Sequence, residues 1–81
     1  METFLGSLML VPYTIVPVGW ARCNGQLMQI TQNSALFSLL GTTYGGDGLS
    51  TFALPNLMVN DVNGKLLTWI ICLAGIYPAQ S

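Results

Sequence analysis

Apolar residues gather in separate stretches along this chain, and the segments between them are rich in glycine, proline and asparagine. Residues 3–12 carry Leu5, Leu8, Met9, Leu10 and Val11 and predict a strand that Pro12 ends. Residues 13–18 contain a second proline, Pro17, so they read as extended but poor central-strand material. Gly19 leads into a second strand over residues 20–23, where Trp20 and Arg22 share one face because strand side chains alternate. Asn24-Gly25 is a strong two-residue turn signal, since type I′ turns need positive φ at both central positions. It predicts an N-terminal hairpin whose return strand is residues 26–30, with Leu27, Met28 and Ile30 apolar.

The pattern then changes period. Leu36, Phe37, Leu39 and Leu40 follow i, i+3, i+4 spacing and predict a helix about two turns long. Asn33 is placed to cap it with its side-chain oxygen, and Gly41 stands where a left-handed residue would end it. Gly45, Gly46 and Gly48 surround Asp47 in a loop that can turn in conformations closed to other residues. Residues 50–54 are extended and stop at Pro55-Asn56. Residues 57–64, with Asn60, Asp61, Asn63 and Gly64, favour turns. Residues 65–77 are a near-continuous β-leaning run, the pattern of a strand buried on both faces. Residues 78–81 read as a frayed end, and the chain has no internal repeat or low-complexity tract. The prediction is a mainly β, α+β fold with one short helix: a module over residues 1–57, a turn-rich joint over 58–65 and a hydrophobic strand over 66–81 that packs on the module or on a neighbouring subunit.

Composition changes what that strand can mean. Of 81 residues, 52% are hydrophobic and only 6% charged, against roughly 25% charged in ordinary domains. One small domain of this kind has few charges to cover its surface, and large exposed apolar patches mark association sites. Some apolar surface is therefore expected between subunits. The candidate interface is Leu67, Trp69, Ile70, Ile71, Leu73, Ile76 and Tyr77, as a strand added to a neighbour's sheet. The net charge is −1, with Arg22 and Lys65 the only cations. That excludes phosphate neutralisation on nucleic acid and docking to anionic lipid. The run Leu66 to Tyr77 is too short to span a membrane. Residues 8–20 contain Pro12 and Pro17 and have no basic flank, so they make a poor secretory signal peptide.

Three stretches carry a family resemblance. They are Gly19-Trp20-Ala21-Arg22-Cys23-Asn24-Gly25-Gln26-Leu27, then the run from Ile30 through Asn33-Ser34-Ala35-Leu36-Phe37 to Gly45-Gly46-Asp47-Gly48, then Thr51-Phe52-Ala53-Leu54-Pro55-Asn56-Leu57. The chain resembles the phage tail collar domain, in the branch named microcystin-dependent proteins. Residues 1–6 and Ala74-Gly75-Ile76-Tyr77-Pro78 resemble the two ends of those longer proteins. The structural motif implied is Trp20, Asn24, Gly25, Asn33, Gly41, Gly45, Gly46, Gly48 and Pro55. Longer relatives carry a basic Arg-Gly-Arg run and a histidine-containing section after the Leu-Pro-Asn motif. Here Met58-Val59-Asn60-Asp61 leads directly to the terminal strand, so receptor contact or metal binding through that section is not expected. The resemblance implies a small tail-collar-like domain in an oligomeric, commonly trimeric, appendage on a virion or tail-like particle or outside the cell. Without a signal peptide, an extracellular destination needs another route, such as lysis.

Candidate chemistry is sparse. No histidine is present, and Glu2, Asp47 and Asp61 lie in dissimilar segments, so the usual general acid–base set is missing. Neither Ser50 nor Cys23 has an evident activating partner. The Asp47 loop follows a helix and has no nearby lysine, unlike a phosphate loop, and one carboxylate is poor provision for calcium. It reads as a structural turn. Cys23 and Cys72 read as buried small hydrophobes, with a bridge between them the alternative; without histidine they make no metal site. Trp20 and Tyr44 read as packing residues, with a glycan-stacking surface as the alternative. Arg22 reads as a surface residue, with pairing to Asp47 or Asp61 across a subunit boundary as the alternative. No catalytic residue, cofactor or metal is expected. The expected function is a non-catalytic structural subunit of a phage-tail-like fibre or self-assembling filament, partnered by itself and by other tail proteins. The alternative is a tail-tip adhesin that recognises a surface glycan. A membrane-active protein is disfavoured by the prolines, glycines and missing basic residues, so no membrane insertion is expected.

Overall fold

A computed structural model describes residues 3–57 and 67–78. Its elements in chain order are β1 (Leu8–Val11), β2 (Trp20–Arg22), β3 (Leu27–Gln29), a 3-10 turn (Ile30–Gln32), α1 (Ser34–Leu40), β4 (Thr51–Ala53) and β5 (Thr68–Cys72). The fold is mostly β with one short helix, as the pattern predicts. The predicted joint over residues 58–65 lies outside the described residues.

The strands form two antiparallel sheets, one in the order β1-β5-β2 and one pairing β3 with β4. In the first, Leu8 stands opposite Ile71 and Val11 opposite Thr68, while Trp20 stands opposite Cys72 and Arg22 opposite Ile70. β5 therefore has a neighbour on each edge, which explains its unbroken apolar wording. Beyond it, Phe4 forms a parallel bridge with Ile76, and Leu5 donates its amide to the Ile76 carbonyl.

The predicted N-terminal hairpin is corrected. β2 pairs with β5, and β3 pairs with β4 in the other sheet. The Asn24-Gly25 signal is chemically real: Gly25 has φ 79°, and the Asn24 side chain accepts from the Gln26 amide. Its turn carries the chain from one sheet to the other. Asn24 bridges Asn56, Gly25 donates to the Pro55 carbonyl, and Leu57 donates to the Cys23 carbonyl.

α1 has only seven residues, too few to persist alone. It is held by Leu36, which is fully buried, and by Phe37, whose ring lies 5.4 Å from that of Phe52 at 54°. Gly41 closes the helix with φ 57°, donating its amide to the Phe37 carbonyl. Asn33 occupies the N-cap position, but its side chain does not cap. Its amide nitrogen instead donates to the Gln29 carbonyl, tying the helix to the preceding 3-10 turn. The core unites both sheets and the helix through Leu5, Cys23, Leu36, Phe52, Leu54 and Ile71. Full burial of a side chain such as Phe52 or Leu54 contributes about 1.5–3 kcal/mol.

Candidate functional site

The glycine loop is organised by Asp47. Its Oδ1 accepts from the amides of Leu49, Ser50 and Thr51 at 2.9–3.0 Å, and its Oδ2 accepts from the Ser50 hydroxyl. In return the Asp47 amide donates to the Thr51 hydroxyl. The backbone amides of Ser50, Thr51 and Leu49 hold the carboxyl well below the usual carboxylate range. Glycine is required here for close approach as well as for φ. A Cβ on Gly46, which has φ 94°, would stand 2.3 Å from the Phe52 Cα. The loop is thus clamped against β4, and its carboxylate is occupied by its own backbone.

A second contact region joins the two ends of the described chain. Ile76 donates to the Thr3 carbonyl and accepts from the Leu5 amide, while Cys72 accepts from the Gly6 amide and donates to the Ser7 carbonyl. Gly75 makes this possible: a Cβ there would lie 2.3 Å from the Thr3 carbonyl oxygen and 2.7 Å from the Leu5 nitrogen. The Tyr77 hydroxyl reaches the Ser38 hydroxyl of α1 at 2.8 Å.

The apolar surface is distributed unevenly. Leu8, Met9 and Leu10 of β1 are exposed, and so are Tyr13, Ile15 and Val18 in the loop that follows. The predicted interface divides. Ile70 and Ile71 are buried in the chain's own interior, and Trp69 and Leu73 pack against the core cluster. Leu67 is half-buried, while Ile76 and Tyr77 are exposed. Of the two places expected for the last strand, β5 takes the one within the chain, with β1 on one edge and β2 on the other.

Trp20 is half-buried on β2, whereas Tyr44 is half-exposed beside the glycine loop. Trp20 belongs to the three-stranded sheet and Tyr44 to the loop that follows α1. Arg22 donates to the Thr14 carbonyl, fixing the loop after β1 to the face that Arg22 shares with Ile70. Asp61 lies outside the described residues.

Cys23 and Cys72 are buried free thiols. Cys72 stands opposite Trp20, and Cys23 donates to the Trp69 carbonyl, so the two are three ladder positions apart. At about 3.3 Å per residue that separation exceeds the roughly 7 Å a disulfide can bridge. Burial pushes the Cys23 thiol up to about 11, leaving it a neutral packing group. Among the described residues, no cluster of histidine, cysteine and carboxylate could hold a metal, and no helix is long and apolar enough to cross a membrane.

Two residues with tight structural roles carry little sequence signal. Gly75 lacks a positive φ and is required only because another segment passes close. Asp47 looks isolated in sequence because its partners are backbone amides.

The sequence model of the phage tail collar domain matches residues 6–61, more than half of the chain, and the chain belongs to that family. No curated protein matches the chain. Membership suggests a structural role in a phage tail or fibre and a virion- or tail-associated location.

Proposed function

We propose that this chain is a non-catalytic structural subunit of a phage-tail-like fibre or self-assembling extracellular filament, built through contacts between copies. The observation that carries this reading is the row of exposed Leu8, Met9, Leu10, Tyr13, Ile15 and Val18, in a stretch with no charge between Glu2 and Arg22. A lone soluble domain rarely leaves such a surface to water. The tail-tip adhesin reading finds less support, because Trp20 is half-buried on β2 and Tyr44 stands on a separate loop.

Negative-stain electron microscopy with light-scattering mass tests the proposal. Fibres of regular width, or a defined oligomer at micromolar protein, are expected. A monomer at every concentration overturns it.

A further inference from the structure

Among the described residues, the outer edge of β1 has no partner. Cys72 donates to the Ser7 carbonyl on the β1 side, while on the β2 side Cys23 donates to the Trp69 carbonyl and Leu73 to the Gly19 carbonyl. Bonded and unbonded pairs alternate along an antiparallel ladder. Met9 and Val11 therefore turn their backbone groups toward β5, and Leu8 and Leu10 turn theirs outward. No described residue takes those outward groups. The strand is Leu-Met-Leu-Val, and its first three side chains are exposed. Edge strands are ordinarily protected by charge, an internal proline or a bulge; here Pro12 follows the last residue and a glycine bulge at Gly6-Ser7, opposite Cys72, precedes the first, so neither interrupts β1.

We propose that β1 pairs antiparallel with β1 of a second copy about a two-fold axis at Met9, joining two three-stranded sheets into one. The register follows from the outward groups. Leu8 of one copy and Leu10 of the other form a bonded pair, the mirror pair does the same, and Met9 faces Met9 in the unbonded position between them. This rests on the self-assembling reading above and names the surface that carries it.

A second copy fits the edge better than other occupants. The strand is self-complementary under a two-fold axis: every opposed pair is apolar, and no like charges meet. The exposed Tyr13, Ile15 and Val18 continue directly from β1, so the same approach can cover them. The other edge of this sheet is already engaged, because on β2 the Trp20 amide donates to the Pro17 carbonyl and the Arg22 carbonyl accepts from the Gln26 side chain. A lipid surface is disfavoured too, since it would leave the outward N–H and C=O groups unpaired. An isologous pair closes on itself, so a fibre built from it uses the pair as its repeating unit.

Three variants of the full chain test the pairing. Met9→Cys is the conservative one. In an unbonded antiparallel pair the two Cα atoms are about 4.5 Å apart, within disulfide range, whereas native Cys23 and Cys72 are buried. Mild oxidation is expected to give a covalent dimer of Met9→Cys and none of the unsubstituted chain. Leu8→Lys/Leu10→Lys is expected to halve the light-scattering mass at unchanged circular dichroism. Mixing it in equal parts with Leu8→Glu/Leu10→Glu is expected to restore the mass, since each lysine then faces a glutamate. If the unsubstituted chain is oligomeric while Met9→Cys stays uncrosslinked, or the lysine variant keeps its mass, the β1 pairing is overturned and the structural-subunit reading stands. An unsubstituted chain that is monomeric throughout, including one that binds vesicles of neutral phosphatidylcholine, overturns both. Should the lysine variant fail to fold, the Met9→Cys cross-link decides alone.

Discussion

In the half of the molecule built from β3, α1 and β4, most ties are local and many are polar. Asp47 gathers the amides of the next few residues, and Asn33 holds the 3-10 turn to the helix. In the other half, every ladder joins residues 8–22 to residues 68–72, and the outer surface of β1 is bare of charge. The halves share a core, in which Phe52 and Leu36 meet Leu5 and Ile71. They differ in how their surfaces are completed. Polar groups within the chain finish the glycine-loop half, whereas the outer edge of β1 has no partner among the described residues. The difference teaches that a charge-poor chain need not be uniformly adhesive, because its stickiness can be confined to one edge.

The contrast can be broken most forcefully at two glycines. Gly46→Ala combines a backbone collision with a positive φ of 94°, so unfolding stability is expected to fall by about 3–5 kcal/mol, as strain and overpacking add. Gly75→Ala meets a similar collision without the positive φ and is expected to cost about 1–3 kcal/mol. Urea unfolding of both variants gives the ratio. If Gly75→Ala costs as much as Gly46→Ala, the glycine-loop half is not the more tightly determined one.

The Asp47 tether sharpens the comparison through pH. Its folded pKa is depressed, so its stabilisation is complete above the unfolded value of about 3.9 and is lost as pH falls below it. Hydrogen exchange at Leu49, Ser50 and Thr51 is expected to quicken in Asp47→Ala at neutral pH, with the amides of β5 unaffected. Protection at those three amides that survives the substitution would remove the tether from the account.

The smallest effect is expected where side chains stand free in both halves. Val18 and Leu49 are almost fully exposed, and Val18→Ser or Leu49→Ser should change stability by less than about 0.5 kcal/mol. Their effects on assembly should separate, with Val18→Ser weakening light-scattering mass and Leu49→Ser leaving it alone. Equal effects would mean that the contact surface is not confined to the β1 side.

Much of this architecture is legible in the sequence where the signal is local. The apolar spacing of Leu36, Phe37 and Leu40 marks the helix, Gly41 its end, and the uninterrupted wording around Ile70 and Ile71 a strand flanked on both sides. The misreadings share a cause. Asn24-Gly25 has hairpin chemistry, but its neighbours pair with Ile70–Cys72 and Thr51–Ala53, and a two-residue signal cannot report partners so distant in sequence. Asn33 stands at the helix start, yet nothing in the sequence says that its amide will turn back to Gln29. Gly75 is fixed by the passage of Thr3 and Leu5, a constraint that exists only once the ends have met. The apolar run that ends the chain divides in a way its wording does not show, with Ile70 and Ile71 enclosed and Ile76 and Tyr77 exposed, while the shorter β1 exposes three of its four side chains.

The central place of β5 also sets an order of events during synthesis. β1 and β2 emerge from the ribosome early, yet neither has its ladder partner until residues 68–72 follow. Non-local pairing of this kind slows folding, and unpaired apolar strands are open to misassociation while they wait. A pause or break in translation before residue 68 would therefore leave two adhesive strands without the one segment that closes the sheet.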